Sequence, residues 1–441
     1  IVVGVVHADH DGHLVVYRRC GEYDLAGAGV EVRSQLRAVG EHTGTLQHDV
    51  YTQCPPRQFR RILRRKRLHG VAVDVQPAVI GRADGVDDRV VVRKGERRMY
   101  LLNGSEVLRS YRVALGLMPA GNKERSGDYR TPPWGDTDQD WFVNACAAVE
   151  AGLARHVIVF RTITESTVQA AERANPPQQE APKPIPASMQ WQIPFYAMSP
   201  TNWMALYAAA HFDRYGTTRE QLAQIALNGR RNALLNPHAL MRDPLTMEDY
   251  LGSRMISTPL CLLDCDMPSD GSVAIIVSRR EASDSLRHKR PITVEALGCA
   301  MHGRDSWDQF TDLASIQSQD DSARQMWSRS DLKPADVDFG AIYDGFSFLT
   351  MAWLESLGFC GRGESGAFVE GGHAISREGT IPINTDGGQL SGARLHGYGF
   401  LYESCKQLWG YAGERQLMRK HEVAVAAIGG GAQAACVLLT H

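Results

Sequence analysis

Lysine is scarce in this chain. Of its 48 basic residues only 8 are Lys and 40 are Arg, yet the formal net charge is −2. A near-neutral balance excludes a generally basic nucleic-acid binder and an acidic disordered tail. No apolar run approaches 18 residues, which excludes a transmembrane helix. The opening Ile1-Val2-Val3-Gly4 has neither an initiator Met nor a basic stretch ahead of an apolar one, and does not read as a secretory signal. The nine cysteines (Cys20, Cys54, Cys146, Cys261, Cys265, Cys299, Cys360, Cys405 and Cys436) are odd in number and scattered, with no CxxC spacing. Zinc-ribbon and thioredoxin-type motifs are therefore excluded. Cys261 and Cys265 lie in a segment too apolar for a metal site, so no metal is expected, and buried free thiols in a reducing cytoplasm are the expectation.

What is present is more telling. A length of 441 residues with 43% hydrophobic content supports two to three domains, or one large duplicated one. The 42 glycines mark tight turns and close backbone contacts. Residues 1–110 stand apart. Their Val-rich runs (Val71–Val75, Val90–Val92) alternate with Arg, Asp and Gly, and no capped helix is legible. The first 100 residues hold 15 Arg against 2 Lys, clustered at Arg57, Arg60, Arg61, Arg64, Arg65, Lys66 and Arg67. The segment is left unassigned. It reads as divergent or frame-shifted, and its Arg excess as coding composition instead of a nucleic-acid site.

From Trp141 the pattern becomes regular. Trp141–Glu150 has helical spacing with Gly152 placed as a C-cap, followed by the strand-like Val157–Phe160. Residues 175–188 are a Pro-rich loop. Trp203, Leu206, Tyr207 and Ala210 make an apolar helical face. Overlapping capping boxes (Thr217 with Glu220, Thr218 with Gln221) open the next helix, whose face is Leu222, Ile225, Ala226, Gly229 and Ala233. Thr246-x-x-Asp249 opens another. Ser272–Val277 is a central strand, and the charged run Arg279–Lys289 is a domain boundary. Beyond it come a strand at Pro291–Ala296 and a strand at Asp338–Tyr343. That strand runs into a helix carrying Phe346, Leu349, Trp353, Leu354 and Leu357. A helix at Tyr398–Trp409 follows, then strands at Glu422–Ile428 and Ala434–Leu439 around Gly429–Gly431. Alternating helices and strands in both halves predict an α/β fold of two related lobes, at residues 111–288 (partial) and 289–441.

Three turns in the second half carry chemical potential. Tyr343-Asp344-Gly345-Phe346 joins a strand to a helix, where side chains and N–H groups point into a crevice. Asn384–Gly399 places five glycines just before a helix, where backbone can approach a ligand and offer donors to an anion. Ala427-Ile428-Gly429-Gly430-Gly431 is the third. Taken singly, each also reads as an ordinary tight turn.

In order and spacing these turns resemble those around the active site of the thiolase superfamily. The resemblance implies duplicated α/β/α lobes forming a layered α/β/α/β/α core. Where thiolases carry their catalytic His and C-terminal Cys, this chain has Arg394 and Ala427. No Cys stands near Gly135-Asp136, where the nucleophile belongs. Those losses, with Leu354-Glu-x-Leu-Gly-Phe-Cys360, Asn384-Thr-x-Gly-Gly-x-Leu-Ser391, Arg394-x-His-Gly397 and Trp191-x-x-Pro194-Phe195, resemble the lipid-transfer-protein-type thiolase-like proteins, which include bacterial steroid side-chain aldolases.

The resemblance implies Cys-independent retro-aldol cleavage of a β-hydroxyacyl-CoA, with Tyr343 and Tyr398 as catalytic groups. The reference pKa of Tyr, about 10, demands electrostatic help. Arg394 and the backbone donors Gly387, Gly388, Gly397, Gly429 and Gly430 are the expected sources. His396 and Asp344 are supporting candidates, Asp344 alternatively as a helix cap. The rival activities are an acyltransferase with a displaced nucleophile such as Cys146, or a non-catalytic binding subunit. No tightly bound cofactor is implied, coenzyme A being part of the substrate. The implied partners are a second copy of the chain and a separate OB-fold, zinc-containing (DUF35-type) protein. Neither nucleic acid nor membrane is among them.

Overall fold

The computed structural model describes residues 2–6, 15–17, 88–93, 98–103, 106–112, 138–174, 189–197, 199–281, 291–302 and 312–441. The Arg57–Lys66–Arg67 cluster, the Pro-rich loop from residue 175, most of the charged boundary run and Gly135-Asp136 lie outside the described residues. Strand β1 (Val2–Val6) is followed by β2 (Val15–Tyr17), β3 (Asp88–Arg93), β4 (Arg98–Asn103) and β5 (Glu106–Arg112). The last four form a separate sheet in the order β2-β3-β4-β5. Helix α1 (Asp138–Glu150) ends before Gly152, which takes φ +75° and turns the chain into β6 (His156–Thr164). Helix α2 (Glu165–Ala174) follows directly, then α3 (Met189–Gln192), α4 (Pro200–Tyr215) and α5 (Arg219–Ala233). Of the two overlapping boxes it is Thr218 with Gln221 that caps α5. Thr246 with Asp249 caps α6 (Met247–Gly252). A short ribbon of β7 (Met255–Ser257) and β8 (Leu260–Cys261) leads to β9 (Asp270–Ser278). The second half supplies β10 (Ile292–Met301), α7 (Gln317–Trp327), β11 (Phe339–Ile342), α8 (Ser347–Ser356), α9 (Ser365–Val369), α10 (Tyr398–Leu408), β12 (Val423–Gly430) and β13 (Gln433–Thr440).

Seven strands make one sheet, ordered β11-β12-β13-β10-β1-β9-β6. Only β11 and β12 are parallel. Residues 2–6, unassigned from the sequence, thus lie between β10 and β9 and join the strands of the two halves. The period of two along each strand builds a core on both faces. Val425 and Ala427 of β12, with Cys436 and Leu438 of β13, face α7 and α8 and belong to the core that α4 and α5 complete. Ala424 and Ala426, with Val437 and Leu439, face α1 and α10. Helix α8 is apolar all round and correspondingly buried, with Phe348, Leu349 and Trp353 fully enclosed. The layer behind β10 is held close: a Cβ at Gly298 would lie 1.8 Å from the Ser322 carbonyl oxygen on α7. Helices on both faces of a mixed sheet are the α/β class expected. No helix among the described residues is long and apolar enough to cross a membrane.

Candidate active site

The ends of β11 and β12 create the site. The Tyr343 N–H continues the parallel ladder by donating to the Ala427 carbonyl (2.9 Å). The Tyr343 ring then turns toward α10 and meets Phe400 edge-on, with centroids 6.1 Å apart. Its hydroxyl lies over Gly345, where an added Cβ would come within 2.7 Å of it. Burial pushes the Tyr343 phenol above its ordinary pKa, and Asp266 adds to the shift. The Arg394 guanidinium and the Gln389 carboxamide beside it act in the opposite sense. Tyr398 is the first residue of α10 and is buried. Its pKa is also raised by burial, opposed by Arg161.

Arg161 on β6 belongs to none of the three turns that mark the site in the sequence. It is buried, which lowers its pKa to about 10, while Tyr398 and Tyr343 are the largest influences holding it up. It remains a cation at neutral pH, close enough to both phenols to favour the ionised form of either. The sequence signal was a charged residue placed directly after the apolar run Val157–Phe160.

Arg394 reaches the site as expected but is not a lone charge. Its Nη1 donates to both Glu165 oxygens (2.7 and 2.9 Å) and its Nε lies 3.2 Å from Asp266 Oδ2. Glu165 is the first residue of α2, so this pair ties the first half to the loop before α10. His396 contributes backbone: it adopts φ +44°, and its N–H donates to Gln389 Oε1 (3.0 Å). Gly397, at φ +80°, then starts α10 without a side-chain cap, and a Cβ there would lie 2.1 Å from Ile428 Cδ1.

The glycine turn departs from expectation. Gly388–Gly392 winds into one helical turn whose N–H groups are satisfied by the Asp386 and Asp344 carboxyls and the Gly387 carbonyl. Gly387 donates to the Asn384 carbonyl, Gly388 to Asp386 Oδ1, and Gln389 to Asp344 Oδ1 (2.9, 2.9 and 2.8 Å). The expected donors Gly387 and Gly388 are therefore engaged by protein oxygens, because a buried N–H without a partner is costly and the Asn384 carbonyl and the Asp386 carboxyl each supply one. Asp344 caps this turn and not the helix that follows it, which has Phe346 at its N-cap. Burial raises the Asp344 carboxyl to about 8, and the nearby Asp386 adds to the shift. Asp386 itself is raised to about 7 by burial and by Glu403. Gly429 and Gly430 close the β12–β13 hairpin, with the Gly429 carbonyl accepting from Trp353 Nε1 (2.9 Å) and Gln319 Nε2 (3.0 Å).

Two further supports come from polar residues lacking an obvious pattern. Asn384 takes φ +49° and pairs with both backbone groups of Ile342, accepting at 2.7 Å and donating at 2.8 Å. From α5, Asn232 Nδ2 donates to the Ile383 and Asn384 carbonyls, and Arg230 Nε to Ser391 Oγ. The thiols are elsewhere in character. Cys146 is buried within α1 and its thiol is pushed up to about 12 by burial. Cys265 and Cys360 are raised to about 12 for the same first reason. At the Cys position of the thiolase pattern, Ala427 is buried in β12.

Chemically, the arrangement offers two protonated phenols beside a buried cation, with an Arg–carboxylate network next to them. Such a site moves protons and stabilises developing negative charge.

Residues 286–441 match the family model described as thiolase C-terminal domain-like. The chain is 34% identical over 277 residues to 17-hydroxy-3-oxo-4-pregnene-20-carboxyl-CoA lyase of Mycobacterium tuberculosis, covering 60% of this chain and 70% of that protein. It is 32% identical over 270 residues to a steroid side-chain-cleaving aldolase of Thermomonospora curvata, covering 60% and 68%. The solved structure of an Ltp2-ChsH2(DUF35) aldolase superposes with a TM-score of 0.59 at 29% identity, covering 67% of this chain and 77% of that one.

Proposed function

The chain belongs to the thiolase superfamily, and from that premise we propose that it is a carbon–carbon lyase cleaving a β-hydroxyacyl-CoA of lipid or steroid side-chain degradation by a retro-aldol reaction. The observation that carries this reading is the pair of phenols packed against one apolar cluster, Tyr343 just beyond β11 and Tyr398 at the start of α10, with the buried Arg161 as a cationic influence. In the reaction one of the two phenols, its own proton released to solvent and its charge held by Arg161, takes the proton of the β-hydroxyl. The Cα–Cβ bond breaks, its electrons leave as the thioester enolate, and the hydroxyl carbon becomes a ketone. The other phenol returns a proton to Cα, giving the shortened acyl-CoA. Arg161 and Arg394 stabilise the phenolate and the enolate electrostatically. Coenzyme A enters as part of the substrate, and no separate cofactor is required.

Thiol chemistry supports the acyltransferase alternative poorly. A nucleophilic Cys works as a thiolate, whereas burial favours the neutral form at Cys146. We extend to this chain the assembly named for its solved relative, a DUF35-type partner. We also propose a homodimer formed through the outer edge of β6, which has no strand neighbour there among the described residues. The working compartment proposed is the cytoplasm.

The test combines the chain, its DUF35-type partner and a β-hydroxyacyl-CoA, with mass-spectrometric detection of the ketone and the shortened acyl-CoA. Tyr343→Phe and Tyr398→Phe are each expected to lower kcat about 10²–10⁴-fold. Unchanged turnover in both variants would favour a non-catalytic binding subunit. A covalent acyl adduct on the intact protein would establish the acyltransferase instead.

A further inference from the structure

We infer that Gln389 is a positioning residue that fixes the Tyr343 hydroxyl and ties it to the corner from which Tyr398 is launched; the inference rests on the aldolase reading above. Three contacts carry it. The Gln389 backbone N–H donates to Asp344 Oδ1 (2.8 Å), anchoring the residue beside the end of β11. Its side-chain Oε1 accepts from the His396 N–H (3.0 Å), two residues before Tyr398. Its Nε2 is fully enclosed without a hydrogen bond of standard geometry, and the carboxamide stands beside the Tyr343 phenol and favours its ionised form. The residue is only 3% exposed, so water does not reach that amide nitrogen in competition.

The chemistry of a carboxamide suits this place. It has one acceptor and two donors, fixed in a plane. With Oε1 committed to His396, the Nε2 side presents N–H to the phenol oxygen. A phenol that accepts there keeps its own O–H free for the substrate, and as phenolate it retains a donor. Because one planar group touches both the β11 end and the His396–Gly397 corner, it also holds the spacing of the two tyrosines. A side chain of similar size without the donor would fill the volume and lose both effects.

Two variants separate the roles. Gln389→Met removes the acceptor for the His396 N–H and the amide donor beside Tyr343 while keeping an unbranched, similar volume. Gln389→Glu keeps an acceptor for the His396 N–H but replaces the donor facing Tyr343 with a charge. In the complex with its DUF35-type partner, both are expected to lower kcat about 10–100-fold with KM within about threefold, as for a small misplacement of a reacting group. A second readout needs no substrate: 3-fluorotyrosine at position 343, titrated by 19F NMR in the whole chain. Its ionisation is expected at higher pH in Gln389→Met and higher still in Gln389→Glu. Unshifted titration in both folded variants overturns the inference, as does wild-type kcat in Gln389→Glu. Should the wild-type chain cleave no β-hydroxyacyl-CoA while the titration shifts as expected, the aldolase reading fails and the Gln389–Tyr343 contact stands.

Discussion

Replacing Arg394 with Met should destabilise the protein by about 3 kcal/mol, the low end of the roughly 3–5 kcal/mol lost when one partner of a buried pair is removed. Arg394 is 19% exposed at the side chain, and its partners Glu165 and Asp266 are 4% and 14% exposed. In the variant, Glu165 loses the Nη1 donor that meets its two oxygens at 2.7 and 2.9 Å and keeps Gln169 Nε2 at 3.2 Å. That remaining donor, together with the exposure left at Asp266, is why the low end is expected. Glu165→Gln alone leaves Arg394 facing Asp266 and should cost about 1.5–3 kcal/mol, since hydrogen bonds to charged groups contribute roughly that much. The double variant removes cation and carboxylate together and should cost less than the sum, with a coupling of about 1–3 kcal/mol. Guanidinium chloride unfolding followed by tryptophan fluorescence gives all four corners of the cycle. An Arg394→Met cost under about 1 kcal/mol, or a coupling near zero, would refute the idea that this pair ties α2 to the loop before α10.

The carboxyl at Asp344 makes a pH prediction. With its pKa raised from 3.8 to about 8, the folded chain holds a proton that the unfolded chain has released between those values. Stability should therefore fall as pH rises through that window. Asp344→Asn should flatten part of the decline in unfolding midpoint from pH 5 to 8, and an identical slope in the two proteins would contradict it. Gly397→Ala should cost about 2–4 kcal/mol, combining a left-handed backbone with a Cβ forced 2.1 Å from Ile428 Cδ1. Adding Ile428→Ala should recover that stability only in part, since the backbone strain persists; full recovery in a comparison of melting temperatures would show that packing alone was at stake.

The chain's local grammar was legible. Continuous apolar runs became β9, β12 and β13. The Thr218 and Thr246 boxes opened α5 and α6, and Gly152 ended α1, because these signals act within a few residues of themselves. The order of the three glycine-bearing turns placed Tyr343 and Tyr398 at strand and helix ends, and Arg394 in the His position with Ala427 in the Cys position directed the chemistry away from an acyl-enzyme thioester. Tertiary structure decided the rest. It put Val2–Val6 between β10 and β9, where only partners some 270 to 290 residues away define a strand's place. It brought Arg161 from β6 to the two phenols and Glu165 to Arg394, pairings between groups more than 170 residues apart that no spacing encodes. It also assigned the turn's N–H groups to Asp344 and Asp386. A glycine-rich stretch specifies that backbone comes close, but which oxygen meets each N–H depends on what the fold buries beside it.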